Sequence, residues 1–320
     1  TSFVVDPDGA FYVSQDADLS PDVDGHKYYA LDDAGRRKLG MPRIDKNQYA
    51  RENGWAISGL SAFYNVTNDP KVLAVAERTA KWVTENRALG DGGFRHGGKD
   101  RGGPYLGDTL AMGQAFLDLY AATGDRQWLT AAGKAGDFIG ATFKDDAGGF
   151  FTSKTGEAKI GVFAKPAKLA DDQVQVARVM NMLNRYFGKD VYKVDASHAM
   201  RYLTGLSADV ERPLPGVLLA DEELAIEPTH MTIVGHKDDP LAQKLFATAR
   251  AYPARYKRLE WLDPREGKLP NPDVEYPDLG EPAAFACSNR ICSYPSFSAE
   301  ELQETVKKMA KLKPARAAQN

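Results

Sequence analysis

Tyr64-Asn65-Val66-Thr67-Asn68-Asp69-Pro70-Lys71-Val72-Leu73 is the stretch that decides the fold. Upstream of it, Ile57, Leu60, Phe63 and Tyr64 fall on one face of a 3.6-residue period. Downstream, Leu73, Ala76, Ala80 and Val83 form a second such face. Thr67-Asn68-Asp69 breaks the first helix, and Pro70 suits the first turn of the next. The segment from Tyr49 to Asn86 therefore reads as a helical hairpin.

The hairpin repeats. At an offset of 56 residues Thr67-Asn68-Asp69 becomes Thr123-Gly124-Asp125, Tyr64 becomes Tyr120, Leu73 becomes Leu129, Ala76 becomes Ala132, and Trp82-Val83 becomes Phe138-Ile139. A weaker copy lies 64 residues further on, where Trp128, Ala132, Phe138 and Ile139 match Tyr192, Ala196, Tyr202 and Leu203. A Gly-rich turn leading into a short strand recurs as well, in Asp91-Gly92-Gly93-Phe94 and Asp146-Ala147-Gly148-Gly149-Phe150. Asp8-Gly9-Ala10-Phe11 carries the same signal with no hairpin before it, so the chain is expected to be part of a longer array. Hairpins of this size fit an α/α toroid, with an α-solenoid as the competing layout. The long Gly-rich returns favour the toroid.

After Leu206 the pattern changes. Met231 to Val234, Arg258 to Leu262 and Ala283 to Cys287 read as strands, Pro240 to Tyr252 as a helix, and Ser298 with Glu301 as the capping box of a last helix. Strand–helix–strand order predicts a small parallel or mixed sheet. The expected class is mainly α: part of an α/α toroid over 1–206, then a small α/β domain over 207–320. The loop from Pro264 to Pro282 is expected to be exposed, and the tail 311–320 disordered. No Gly-x-Gly-x-x-Gly follows a strand, so a dinucleotide cofactor is unsupported, and no cofactor is expected.

Composition excludes several classes. The 320 residues carry 41 Lys+Arg against 44 Asp+Glu, a net charge of −3, which offers no footprint for a nucleic-acid backbone. No apolar run reaches the length of a membrane-spanning helix. The two cysteines exclude a four-cysteine zinc site. Asp16, Asp18, Asp22, Asp24 and Gly25 fail as a calcium loop, because Leu31 stands where the closing Glu belongs. The five histidines show no metal spacing, so no metal site is expected.

Gly9-Ala10-Phe11-Tyr12-Val13-Ser14-Gln15-Asp16-Ala17-Asp18 resembles a signature of the spermatogenesis-associated protein 20 family, whose members join a thioredoxin-like domain to an (α/α)6 toroid. Gly25-His26-Lys27-Tyr28-Tyr29, the stretch from Asp45 to Asn53-Gly54, Tyr105-Leu106-Gly107-Asp108, Gly148-Gly149-Phe150-Phe151 and Ala286-Cys287 to Cys292-Ser293-Tyr294-Pro295 also resemble that family. Glu52 stands where the family has Trp, and Lys168 to Gln173 replaces its Pro-Ser-x-Asn segment. The resemblance implies that 1–206 is a partial (α/α)6 toroid of six-hairpin glycosidase type, with a thioredoxin-like domain and first toroid helices upstream, in the same gene product or a separate chain. It assigns no compartment; the cytoplasm comes ahead of the periplasm.

In a toroid, loop and inner-helix-start residues face the mouth of the cavity. Asp16, Asp18, Asp45 and Asp108 are the candidate catalytic carboxylates, since glycosidases need two carboxylates with divergent acidity. Gln15, Tyr28, Tyr29, Glu52, Asn53, Tyr105, Asp171 and Asp172 are candidate substrate-binding residues, the aromatics as sugar platforms. Each also has a structural account: Asp caps helices and turns, and aromatics at helical spacing fill cores. His26 and His96 are surface or capping groups, or a general acid–base. Cys287 and Cys292 read first as buried or capping thiols, with a short-loop disulfide as the alternative. Two functions follow: a carbohydrate-active or carbohydrate-binding toroid with a sugar ligand, or a non-catalytic module that docks a thioredoxin-like domain or partner subunit.

Overall fold

The computed structural model describes residues 9–99, 103–154, 166–208, 214–271, 273–288 and 291–310. The first turn at Asp6 to Asp8, Asn289 and the tail 311–320 lie outside the described residues. An N-terminal segment comprises β1 (Ser14–Gln15), α1 (Gly25–Tyr29), α2 (Asp33–Leu39) and β2 (Ile44–Asp45). Three hairpins follow: α3 (Ala50–Thr67) with α4 (Pro70–Arg87), α5 (Leu106–Thr123) with α6 (Arg126–Thr142), and α7 (Ala170–Phe187) with α8 (Asp190–Ala208). The rest is α9 (Pro215–Ala225), β3 (Thr229–Val234), α10 (Pro240–Ala251), β4 (Lys257–Leu262), β5 (Ala283–Ser288), β6 (Ile291–Cys292) and α11 (Ala299–Ala310).

The joints explain the repeat. The first helix of each hairpin ends on a left-handed residue, Asn68, Gly124 or Gly188, whose N–H donates to the carbonyl four residues back. Asp69 and Asp125 then cap α4 and α6 by accepting from the backbone N–H groups of Lys71 and Gln127. The chain thus reverses in two residues, and the two helices of each hairpin pack antiparallel.

Helix α5 packs between α3 and α7, while α4, α6 and α8 cover the outer side. Successive inner helices with an outer cover are the arrangement of part of an α/α toroid. The flanked position of α5 explains why it is apolar almost all round, whereas α4 buries only one stripe. Gly54 permits the close approach of α3, since a Cβ there would lie 2.8 Å from the Ala111 carbonyl. The core of the hairpins holds Phe116 stacked on Trp128 at 5.9 Å and Tyr120 edge-on to Tyr186 at 5.1 Å. Each such side chain contributes on the order of 1.5–3 kcal/mol by leaving water.

The sheet has the order β4-β3-β5-β6, with β3 and β4 parallel across α10 and β5 antiparallel to β3. One face is apolar: Met231, Ile233, Leu259, Trp261, Ala284 and Ala286 pack against Leu245 and Phe246 of α10 and Leu302 and Val306 of α11. Ser298 caps α11, its hydroxyl accepting from Glu301 N–H at 3.1 Å, while the Glu301 carboxylate reaches one residue past the expected capping box and accepts from Phe297 N–H at 2.8 Å. The other face carries His230, Thr232, Arg258, Glu260 and Cys287, since residues paired across strands share a face. The stretch from Pro264 to Pro282 is largely exposed, but Leu269 is buried and the Tyr276 hydroxyl bonds that of Thr232 at 2.7 Å.

Cys287 and Cys292 form a disulfide, in place of the thiols preferred on sequence. The physical reason is the β5–β6 pairing, which sets the two residues directly opposite each other.

Sheet and hairpins meet at the second joint. Lys237 Nζ donates to the Gly124 carbonyl at 2.8 Å, Arg250 to that of Ala122 at 3.1 Å, and Trp261 seats against Gly124.

Candidate active site

The starts of the inner helices carry the site. In each, the fourth helical residue bonds the backbone of the phenylalanine in a Gly-rich turn. Asn53 accepts from Phe11 N–H at 2.7 Å and donates to its carbonyl at 3.1 Å. Thr109 accepts from Phe94 N–H at 3.0 Å. Gln173 accepts from Phe150 N–H and donates to its carbonyl, both at 2.8 Å. Asn53 is fully buried, its amide is committed to these bonds, and it is not among the residues that line the cleft described below.

One residue earlier stands a carboxylate in every case: Glu52, Asp108 and Asp172. The 56-residue offset carries Glu52 to Asp108, and the 64-residue offset carries Asp108 to Asp172. An acid in the first turn is favoured by the helix dipole, which accounts for the residue type. Their placement is what makes chemistry available.

Asp108 and Asp172 line one cleft of about 340 Å3, with Arg51, His96, Tyr105 and Thr152. Asp108 is 1% exposed. Its Oδ1 accepts from the Arg51 backbone N–H at 3.0 Å and lies 2.9 Å from His96 Nδ1. Burial pushes its carboxyl above the ordinary value, and the hydrogen bond and charge of His96 oppose that rise. The His96 ring is stacked on Tyr49 at 4.0 Å and meets Tyr105 edge-on at 6.3 Å, so its orientation is fixed from two sides. Burial also raises Asp172, with Arg51 acting against it and Asp171 adding to it. Arg51 pairs with Glu52 at 2.8 Å and lies over Trp55 at 5.1 Å. The second carboxylate oxygen of Glu52 is buried without a hydrogen-bond partner among the described residues.

The N-terminal candidates lie elsewhere. Gln15 and Asp45 belong to the β1–β2 pair, and the Asp45 carboxylate accepts from Asn47 N–H at 3.0 Å. Asp16 is exposed, and Asp18 accepts from Gly25 N–H at 2.7 Å. Asp16, Asp18 and Asp45 do not line the cleft of Asp108, and Asp18 and Asp45 bond the turns of their own segment. Tyr28 is buried and donates to the Gly40 carbonyl at 2.9 Å, and Tyr29 is exposed against it. Asp171 is exposed beside Asp172. Sequence reasoning does not find Arg51 or the pairing of His96 with Asp108; the recurrence of Glu52, Asp108 and Asp172 at the two repeat offsets is the signal that would have marked this place. Among the described residues no group of three His, Cys, Asp or Glu side chains could hold a metal ion.

Another acid of raised pKa lies further along α5. Asp118 of α5 accepts from Gln114 at 2.9 Å and bonds Ser58, and burial pushes it up to about 6.

Residues 52–187 match the family described as beta-L-arabinofuranosidase, GH127 catalytic domain. An uncharacterised protein of Caenorhabditis elegans is 24% identical over 290 residues, which cover 85% of this chain and 39% of that protein. A GH76 α-mannanase of Bacteroides thetaiotaomicron is similar at a TM-score of 0.42 and 16% identity, over 50% of this chain and 46% of that one. A cellobiose 2-epimerase of Spirochaeta thermophila gives 0.43 and 15%, over 62% and 48%. The chain spans about two fifths of the curated relative and less than half of each of these solved structures.

Proposed function

We propose that the cleft at the inner-helix starts handles a carbohydrate, and that the chain is the glycosidase-like module of a thioredoxin-domain-containing protein. One observation carries this: a buried acid of raised pKa, Asp108, shares a cleft with a second raised carboxylate, Asp172, and is held by His96. That is the equipment of glycosidic chemistry, one group to give a proton and one to support the developing positive charge or to take a proton from water. Asp108 with His96 is the proton-donating pair and Asp172 the second carboxylate. Arg51 brings a positive charge to the cleft, and Tyr105 and Leu169 offer apolar surface to a sugar ring. The family match over 52–187 supports the reading, because all three first-turn carboxylates fall within it. It makes an arabinofuranoside the first probe.

The test is hydrolysis of a p-nitrophenyl L-arabinofuranoside, with sugar binding measured in parallel by calorimetry. Hydrolysis that falls at least 100-fold in Asp108→Asn supports a catalytic module. Binding without hydrolysis supports a carbohydrate-binding module. Absence of both, over furanosides and pyranosides, removes the carbohydrate reading.

A second reading rests on α3. Trp55, Phe63 and Val66 are 58%, 56% and 79% exposed along one side of that helix. At the 56-residue offset Trp55 corresponds to Ala111, the residue α5 presents to α3. The stripe thus has the position of an inter-hairpin face, and its occupant is an inner helix of another hairpin, adjoining the thioredoxin-like domain. Association lost in Trp55→Glu, by light scattering, supports this docking role; a monodisperse monomer for wild type and variant alike removes it.

A further inference from the structure

The polar face of the sheet takes no part in the chemistry above, yet it buries a connected set of ionisable groups. Glu260, fully buried, receives Arg258 at 2.8 Å and lies 2.7 Å from His230 Nε2. Arg258 also donates to Asp273 at 2.6 Å. One oxygen of Glu260 has no hydrogen-bond partner among the described residues. Between this face and the end of α7 opens a cleft of about 480 Å3, lined among others by Arg185, His230, Arg258, Asp273 and both cysteines of the disulfide.

The two sulfurs are inequivalent. Cys287 is 6% exposed and stands directly opposite His230 in the strand register. Cys292 is exposed, with Ile291 57% and Tyr294 93% exposed beside it. A disulfide with one accessible sulfur and one buried sulfur beside an imidazole has the asymmetry that thiol–disulfide exchange requires. A purely structural crosslink needs neither the cleft nor the buried acid–imidazole pair.

We infer that Cys287–Cys292 is an exchange site for a protein dithiol. A thiolate of the dithiol attacks Sγ of Cys292, the Cys287–Cys292 bond breaks, and Cys287 leaves as thiolate. Cys287 then takes a proton from His230, whose ring Glu260 holds in place. The second thiol of the dithiol gives its proton to solvent and attacks the first dithiol sulfur in the mixed disulfide; Cys292 leaves as thiolate and takes a proton from solvent, and solvent returns a proton to His230. The dithiol is oxidised to a disulfide and the chain is reduced to two thiols, with two electrons transferred. The ring of His230 acts on the leaving sulfur, and Glu260 is a positioning residue.

The full chain, oxidised with glutathione disulfide, is treated with dithiothreitol in native buffer. Iodoacetamide quenches the reaction, intact mass counts the alkylated cysteines, and far-ultraviolet circular dichroism follows the fold. Expected is double alkylation with the helical signal unchanged. Reduction that proceeds only in step with unfolding, or a chain that does not form the pair, overturns the proposal. Limiting reduced glutathione should leave its adduct on Cys292 by peptide mapping; an adduct on Cys287 overturns the assigned direction of attack. His230→Gln, shown folded by the same spectrum, should slow exchange at least about tenfold, and an unchanged rate removes the proton-donor role.

Discussion

At the starts of α3, α5 and α7, each first-turn carboxylate sits within one residue of the side chain that latches its helix to a Gly-rich turn. On the polar face of the sheet, Arg258 and Glu260 meet His230 from a strand about 30 residues away, and Asp273 reaches in from a loop. The hairpins hold their carboxylates at helix ends, Asp108 against the Arg51 N–H and His96, and latch each helix with neutral side chains. The sheet instead buries an ion pair that forms once β3 and β4 have found their register. A neutral latch that loses a member leaves an unpaired backbone group. A buried ion pair that loses a member leaves an under-compensated charge in the interior of the sheet.

The sharpest test of that contrast is Glu260→Ala. It leaves the 2%-exposed Arg258 with Asp273 as its one carboxylate partner and should cost about 3 kcal/mol in urea unfolding. Gln173→Ala removes both bonds to Phe150 and leaves a buried N–H and carbonyl unpaired, a loss of about 2–3 kcal/mol by the same measurement. A larger loss from Gln173 than from Glu260 would break the comparison.

Asp118→Asn works in the opposite direction. Asp118 is held at about 6 against an ordinary 3.8, so the folded chain keeps a proton that the unfolded chain gives up. The wild type therefore loses stability as pH rises from about 4 to 6, and the Asn variant does not. The variant should be more stable by about 1–3 kcal/mol at pH 8 and equal at pH 3.5, read from melts at both values. A difference that does not change with pH would show that Asp118 is not the titrating group. The smallest effect belongs to Asp125→Ala, which loses one cap on α6 and should cost about 1 kcal/mol with the sheet unaffected.

The same contrast explains what could be read from sequence. The hairpins were legible because Asn68-Asp69 and Gly124-Asp125 state the joint in adjacent residues, and the helical faces repeat around them. Asp108, Asp172, Glu52 and Tyr105 were found as cavity candidates from their positions at helix starts. Arg51 was not, because a basic residue in a first turn gives no signal until its neighbours across the cleft are known. The Gln15-Asp16-Ala17-Asp18 string drew attention by its density of acids, but a run of Asp is equally what a turn-rich segment needs, as the Asp18–Gly25 and Asp45–Asn47 bonds show. The strands were legible as apolar runs. Their charged face was not, since the His230–Glu260 pair depends on a parallel register across α10 that no local pattern encodes. The disulfide was one of two open outcomes, and strand pairing decided it.

The latches have an evolutionary consequence. Phe11, Phe94 and Phe150 are each tied to the helix they precede, yet they stand 42, 15 and 23 residues from their partners. Both ends of each connecting segment are thereby pinned while its length is left free. Insertions and deletions between the pins can accumulate without shifting a helix, and at Phe94–Thr109 and Phe150–Gln173 they fall beside the cleft, whose residues His96, Tyr105, Thr152 and Leu169 come from those two segments. The scaffold can hold its helices still while descendants of this chain diversify at the rim.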